Sequence, residues 1–334
     1  KTQITIMINN LTYQDFFKNK NVLVTGGTGL IGRQLVSKLC DLGSNVLSVS
    51  MDDLQLDKRS NYMKTDLTII DNCKDVTKDM DIVFHVAGIK GSIEVTKSKP
   101  ASFMVPMLLF NTGILEASRI NKVKNLVFTS SIGAYSSSEI FSESDEEEVN
   151  PPMDFYPGWA KRIAELQIKA YQEQYEINWG VVRPSNVYGP GDNFDENNAM
   201  VIPSLMSKIY KKQLPLKVWG DGSSVRDFIF SGDVAEGILN CAYFKNNSRY
   251  LNLGSGTGIT IKELIVSLQS VIKFDFEFDT SKSNGFPKRV MNISKAQKEI
   301  NFFPKTKILE GLRITWDWFL QNNNEYLKRK KYFK

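Results

Sequence analysis

From Asn21 onward the chain alternates short apolar runs with stretches of helical period. VLVTG is followed by helical spacing over Ile31–Asp41, and NVLSVS precedes the loop MDDLQLDKR. DIVFHVAG is followed by a helical stretch over Met107–Ile120. NLVFTSS leads through an acidic loop to a helix over Trp159–Tyr175, and NWGVVRPS closes the series near Tyr188. Runs that are apolar at nearly every position belong to strands buried on both faces. Strands alternating with helices build a parallel sheet covered on both sides. The pattern therefore predicts an α/β fold, a doubly wound parallel sheet, over residues 7–188. After Tyr188 helical segments (Met200–Lys212, Val234–Phe244, Lys262–Ile272, Ile308–Gln321) mix with short strands in KVWG, RDFIF, YLNLG and FDFEF. This predicts a smaller mixed α/β domain over 189–330, with strands around 226–253 returning to the first sheet. No fixed-period repeat is present.

The turn between VLVTG and its helix is glycine-rich. Gly26, Gly29 and Gly32 form G-x-x-G-x-x-G, with Thr28, Leu30 and Ile31 between them. Glycine is needed where a turn is tight and backbone must approach a pyrophosphate, and the following helix points free N–H groups and a positive dipole end at that anion. The strand before and the amphipathic helix after make this a dinucleotide site of the Rossmann type. Asp52 and Asp53 follow about 20 positions on, where carboxylates hold ribose hydroxyls, and they favour NAD. Ser50 with Lys58 and Arg59 nearby could accommodate a 2′-phosphate, so NADP is the second choice.

Composition narrows the picture further. The 334 residues carry a formal charge of +5, part of it in the tail KRKKYFK, and the acidic run ESDEEE (Glu143 to Glu148) reads as a solvated loop. No helix-turn-helix, zinc-finger or RNP pattern accompanies the basic tail, so no nucleic-acid partner is expected. Cys40, Cys73 and Cys241 are odd in number and far apart, which points to a reducing, cytoplasmic compartment. His85 is the single histidine, so no metal site or Ser-His-Asp triad is expected. No apolar run approaching the roughly 18 residues of a bilayer span and no secretory leader is expected. Residues 1–6 precede Met7 and stand outside the fold argument.

TGGTGLIG, the KTDLT segment around Asp66, FHVAG, VFTSS, WAKRIAE, RPSNVYGPGDNF and VRDFIFSGDVAEGI occur in that order. Over roughly residues 20–320 this set resembles the extended short-chain dehydrogenase/reductase family acting on nucleotide-diphosphate sugars. The resemblance implies a Rossmann domain for NAD(P), a smaller domain for the nucleotide sugar, and a homodimer. It also implies that Asp66 and Leu67 lie near the adenine and that Ala87 and Gly88 flank the cofactor. In such chemistry a tyrosine takes the proton of a sugar hydroxyl as hydride leaves the same carbon, a lysine cation favours the phenolate, and a Ser or Thr hydroxyl orients the reacting oxygen. Ser131, four residues before Tyr135, matches the hydroxyl, with Ser130 as the fallback. Lys161 matches the lysine and also contacts the cofactor.

Tyr156 matches the phenol, but its spacing is Y-x-x-x-x-K instead of Y-x-x-x-K. Five helical steps rotate by about 140° where four rotate by about 40°. Pro157 suits a first helical position and keeps the preceding residue out of helical geometry. The expectation is that Tyr156 stands just before the helix and reaches the same point from there.

YGPGDNFDENNAMVIPSLM and VWGDGSSVRDF resemble the GDP-fucose synthase branch of that family, which epimerises with a cysteine shortly after the serine and a histidine before V-I-P. Gly133 and Met200 stand at those positions, and no acidic residue follows Ser131 as it does in the family's dehydratases. The resemblance thus implies hydride transfer at C4 of a GDP-hexose or GDP-heptose, by a 4-dehydrogenase or 4-ketoreductase making surface polysaccharide precursors. A 4-epimerase with tightly held NAD is the runner-up. A catalytically inactive NAD(P)-binding sensor is the alternative of another class. On the substrate side the resemblance implies Ser131, Asn186, Val201, Lys208, Trp219 and Arg226. The arginine supplies a planar donor fork for phosphate oxygens. GSGTGIT lacks G-K-[ST] and reads as a turn ahead of a helix.

Overall fold

Seven strands share one sheet, and every pairing in it is parallel. The first five in chain order are β1 (Asn21–Thr25), β2 (Asn45–Ser50), β3 (Asn61–Lys64), β4 (Ile82–His85) and β5 (Asn125–Thr129). In space the order is Leu251–Leu253, Gly180–Pro184, β5, β4, β1, β2, β3. The computed structural model describes residues 12–143, 150–175, 177–196, 198–246 and 248–325. Most of the acidic run, the basic tail and the segment before Met7 lie outside them.

Alternate strand residues feed two cores, as the two-residue period of a strand requires. Leu23, Val83, Leu126, Phe128 and Val181 join one, with helices Pro100–Ile120 and Phe155–Tyr175. Val22, Val24, Ile82, Phe84, Val127 and Val182 join the other, with helices Gly32–Asp41 and Ser231–Tyr243. A third core holds the C-terminal part together: helices Val201–Tyr210, Ile261–Gln269 and Ile308–Asn322, with the parallel pair Leu216–Trp219 and Phe276–Asp279. GSGTGIT does lead into a helix, whose start is a capping box between Thr260 and Glu263.

Two expectations are corrected. RDFIF does not return to the main sheet. Phe228–Phe230 pairs instead with Asn186–Tyr188. Just before that strand, the buried carboxylate of Asp227 accepts from Ser185 Oγ (3.1 Å), from Ser255 N (2.8 Å) and from Met291 N (3.2 Å). These bonds tie the chain into the junction between the two parts just before the strand begins. Leu251–Leu253 from YLNLG does complete the main sheet. The second correction concerns apolar length. Helix Pro100–Ile120 has 21 residues and is long and apolar enough, by length and composition, to cross a bilayer, yet half of its most apolar window is buried in the protein. Phe103, Met107, Phe110, Ile114 and Leu115 are its core residues.

Candidate active site

The glycine turn is built as a dinucleotide requires. Gly26 has φ +67°, and a Cβ on it would lie 2.8 Å from the Ala87 Cα. A Cβ on Gly32 would lie 2.1 Å from the Gly26 carbonyl oxygen, and one on Gly27 would lie 2.1 Å from Ser48 Oγ. Gly27 is thus a glycine that the three-glycine pattern passes over, signalled only by the Gly-Gly doublet. No described side chain caps the N-terminus of helix Gly32–Asp41, and Arg33 N donates to the Gly29 carbonyl (3.1 Å) of the turn itself. This cradle fits a pyrophosphate.

The structure separates the two carboxylates that follow β2. Asp52 accepts a hydrogen bond from Thr28 Oγ1 (2.6 Å) and so stands at the glycine turn. Asp53 turns to solvent and pairs with Lys64 (2.5 Å). Arg59 is engaged by Asp41 (2.6 Å) and Asp57 (2.7 Å). Asp66 shapes the turn after β3, accepting from Thr68 N (2.9 Å) and Thr68 Oγ1 (2.7 Å), while Leu67 is buried in the core.

A buried chain of hydrogen bonds joins the ends of β1 and β4 to the Lys161 helix. Ala87 N–H donates to Thr25 Oγ1 (3.2 Å), whose hydroxyl lies 2.7 Å from His85 Nδ1. His85 Nε2 lies 2.9 Å from Asn111 Oδ1, and Asn111 Nδ2 donates to the Ala160 carbonyl (3.4 Å). This assigns the Nε2–H tautomer, with Nδ1 accepting from Thr25. Burial, and then the Lys161 charge, push the His85 pKa down to about 3. The histidine is a neutral strut of the core.

Lys161 is buried. Its Nζ donates to the Thr129 carbonyl (2.7 Å), lies 4.7 Å from the Phe128 ring centroid, and would sit 3.9 Å from a Cβ on Gly88. The fold therefore gathers the ends of β1, β4 and β5, and with them Ala87, Gly88 and Lys161. Ser131 is half-buried there and its Oγ accepts from Gly133 N (3.0 Å). Ser130 is buried deeper, with an Oγ that has no hydrogen-bond partner among the described residues. Desolvation lowers the Lys161 pKa to about 8, and Glu165 opposes the shift. The ammonium is thus lost as pH rises through about 8 instead of near 10.5. An alkaline limb of kcat/KM near that pH is expected, and Lys161→Arg, whose guanidinium stays charged, is expected to remove it.

Tyr156 departs from its expected placement. The helix begins at Phe155, so Tyr156 lies inside its first turn and Pro157 is its third residue. Proline is tolerated there because the early N–H groups of a helix have no carbonyl partner within it. Five residues before Lys161, Tyr156 falls on the far side of the helix. It is 41% exposed, packs edge-on against Phe155, and its hydroxyl has no hydrogen-bond partner among the described residues.

The substrate-side residues divide as well. Arg226 Nη1 donates to the Val225 carbonyl (2.9 Å) and the Phe286 carbonyl (2.7 Å). Its register partner on the neighbouring parallel strand is Arg289. Neither is ion-paired among the described residues, and Arg289 Nε is buried without a hydrogen bond. Burial, and then their mutual repulsion, hold Arg226 below the usual arginine range. Two adjacent guanidinium groups with donors to spare can hold a diphosphate. Arg289 is absent from the sequence reading, because the pairing of KRVM with VR is visible only in the fold. Asn186 Nδ2 donates to the Asp227 carbonyl (2.8 Å). Trp219 is 59% exposed at a strand end, with Lys282 over its ring. Val201 is exposed and Lys208 half-buried on helix Val201–Tyr210.

Comparison with known proteins agrees with this geometry. Residues 22–254 match the model of the NAD dependent epimerase/dehydratase family. The chain is 27% identical to a GDP-L-fucose synthase of Sinorhizobium fredii, covering 91% of this chain and 96% of that protein. It is 27% identical to a dTDP-4-dehydro-6-deoxy-D-allose reductase of a Streptomyces species, covering 91% and 98%. Among solved structures, it resembles a UDP-N-acetylglucosamine 4-epimerase from Methanobrevibacter ruminantium in complex with UDP-N-acetylmuramic acid. The TM-score is 0.81 and the identity 27%, over 91% of this chain and 99% of that one.

Proposed function

The chain belongs to the NAD-dependent epimerase/dehydratase family of extended short-chain dehydrogenases acting on nucleotide sugars, and from that membership we propose that it moves hydride at C4 of a nucleotide-diphosphate sugar. The observation that carries this reading is the placement of Lys161, buried under the Thr129 carbonyl at the end of β5 and beside Gly88 after β4, the strand next to β1 and its glycine turn. When bound, the nicotinamide supplies the hydride acceptor or donor. The glycine turn and the N-terminal end of helix Gly32–Asp41 hold the pyrophosphate, and Asp52 holds the adenosine ribose, close to where Asp66 and Leu67 would meet the adenine. NAD is the proposed cofactor over NADP, because Arg59 is spent on Asp41 and Asp57.

Lys161 fixes the nicotinamide ribose, with Ala87 and Gly88 alongside, and Ser131 orients the reacting oxygen. The proton is handled at the start of the Lys161 helix, from which the expected Tyr156 is turned outward. Arg226 and Arg289 bind the diphosphate, Asn186 and Lys208 lie on its flank, and Trp219 stacks on the base. The proposed substrate is a GDP-hexose or GDP-heptose, and the proposed enzyme is a cytoplasmic homodimer serving surface polysaccharide synthesis. Retention of the cofactor through both half-reactions would make the same site a 4-epimerase, and the likeness to a UDP-sugar 4-epimerase favours that second reading.

Purified protein with NAD+ or NADH and a panel of GDP-, UDP-, CDP- and dTDP-hexoses tests the proposal. A change at the reduced-nicotinamide absorbance band on adding one sugar is expected. Inversion at C4 without net absorbance change would establish the epimerase. Bound cofactor that responds to no sugar would establish a sensor.

A further inference from the structure

Hydride transfer at a carbinol needs a group that takes the hydroxyl proton. Two acidic side chains at the start of the Lys161 helix have different surroundings. Tyr156 faces away from Lys161. Asp154 stands immediately before that helix, seven residues ahead of Lys161.

An aspartate just before a helix ordinarily turns its carboxylate back onto the N–H of the second or third helical residue. The third residue here is Pro157, which has no N–H. The Asp154 carboxylate makes no hydrogen bond with any described residue. It lies instead over Gly133, where a Cβ would fall 2.2 Å from Oδ2. Its backbone is pinned there: Asp154 N donates to the Gly133 carbonyl (3.2 Å), and Met153 N donates to the Tyr135 carbonyl (2.7 Å). Gly133 N in turn donates to Ser131 Oγ. The carboxylate and the Ser131 hydroxyl therefore flank one residue.

Arg289, beside Arg226, is the charged group that acts on the Asp154 carboxyl. Desolvation raises that carboxyl's pKa against the pull of Arg289.

We propose that Asp154 is a catalytic residue of this enzyme, the carboxylate that accepts the sugar hydroxyl proton in oxidation and returns it in reduction. This rests on the hydride-transfer reading above. In the oxidising direction Asp154 takes the proton as the O–H bond breaks. The C–H bond breaks with its electron pair leaving for the dinucleotide, and a carbon–oxygen double bond forms. The alcohol is oxidised, the dinucleotide reduced and the carboxylate neutralised. A carboxyl pKa raised above the ordinary range makes a stronger base than a surface aspartate.

The test compares Asp154→Asn, Asp154→Glu and Tyr156→Phe with the wild type on whichever panel sugar the wild type turns over. Asp154→Asn is expected to lower kcat by about 10²–10⁴-fold and to erase the acid limb of the pH profile measured in the oxidising direction. Its calorimetric affinities for NAD+ and for the sugar nucleotide are expected to stay within about threefold of wild type, and its Tm no lower, since an amide replaces a desolvated, unpaired carboxylate. Asp154→Glu is expected to recover part of kcat, and Tyr156→Phe to stay within about threefold. Undiminished turnover in Asp154→Asn overturns the assignment and leaves the hydride reading standing, as does a large loss in Tyr156→Phe alone. A fall in Tm together with weakened binding in Asp154→Asn also overturns it, by making the residue structural. A wild type that neither changes the redox state of the cofactor nor inverts C4 with any panel sugar overturns the hydride reading itself.

Discussion

Arg183→Met is expected to destabilise the protein by about 3–5 kcal/mol, the cost of leaving a buried charge without its partner. Arg183 is 1% exposed and makes a two-pronged pair with Glu165, Nε to Oε1 at 2.9 Å and Nη2 to Oε2 at 2.5 Å. The guanidinium is also stacked between two rings, 4.3 Å from the Tyr135 centroid and 3.7 Å from that of Tyr250. Methionine keeps much of the volume but strands the Glu165 carboxylate, itself buried. Thermal melts are expected to show a Tm lower by on the order of 5–15 °C. Because most of the penalty is the orphaned carboxylate, Arg183→Met combined with Glu165→Leu is expected to melt well above the single variant. A double variant no better than the single would place the energy in the ring contacts instead. The site would feel the change too, since Glu165 is one helical turn from Lys161 and supports its protonated form.

Gly32→Ala is expected to be the most damaging single-methyl change in the cofactor turn. The added carbon would sit 2.1 Å from the Gly26 carbonyl oxygen and 2.8 Å from both Gly26 C and Gly27 Cα, all backbone. No side chain can swing aside, so the turn must open, and overpacking of this kind costs roughly 1–3 kcal/mol. Opening also moves the N–H groups meant for the pyrophosphate. NAD+ affinity by calorimetry is expected to fall on the order of a hundredfold, about 2.7 kcal/mol. Gly29→Ala is the control for folding: its nearest neighbour would be the Gly26 carbonyl oxygen at 3.1 Å, so its Tm is expected to drop less. Equal Tm losses in the two variants would contradict this account of the turn.

The first half of the fold was legible because its strands are apolar on both faces and its glycines sit between a strand and a helix. β3 and helix Ile70–Thr77 were not. NYMK is an edge strand with mostly exposed side chains, and IDNCKDVT is two turns long with three buried residues. Neither carries enough periodicity to announce itself. Helix Phe155–Tyr175 starts four residues earlier than Trp159 because a proline in the first turn permits helix where it would break the interior. That shift places Tyr156 inside the helix and turns it outward. The glycine turn and Lys161 follow from spacing within one strand-to-helix unit. Arg289 and Asp154 do not, since each takes its meaning from a neighbour remote in sequence: Arg226 across a parallel ladder, Gly133 across a loop.

The seventh strand has a consequence for how the chain is made. Leu251–Leu253 pairs Leu251 with Val182 and Leu253 with Pro184, and Tyr250, just ahead of it, stacks on Arg183. A ribosome that has delivered only the nucleotide-binding half has made a sheet whose last row, Gly180–Pro184, has a bare flank of unpaired amides. Bare flanks recruit stray strands, and unfinished chains are when they are most exposed. Sealing it must wait until some seventy more residues emerge, so maturation of the first half is tied to synthesis of the second.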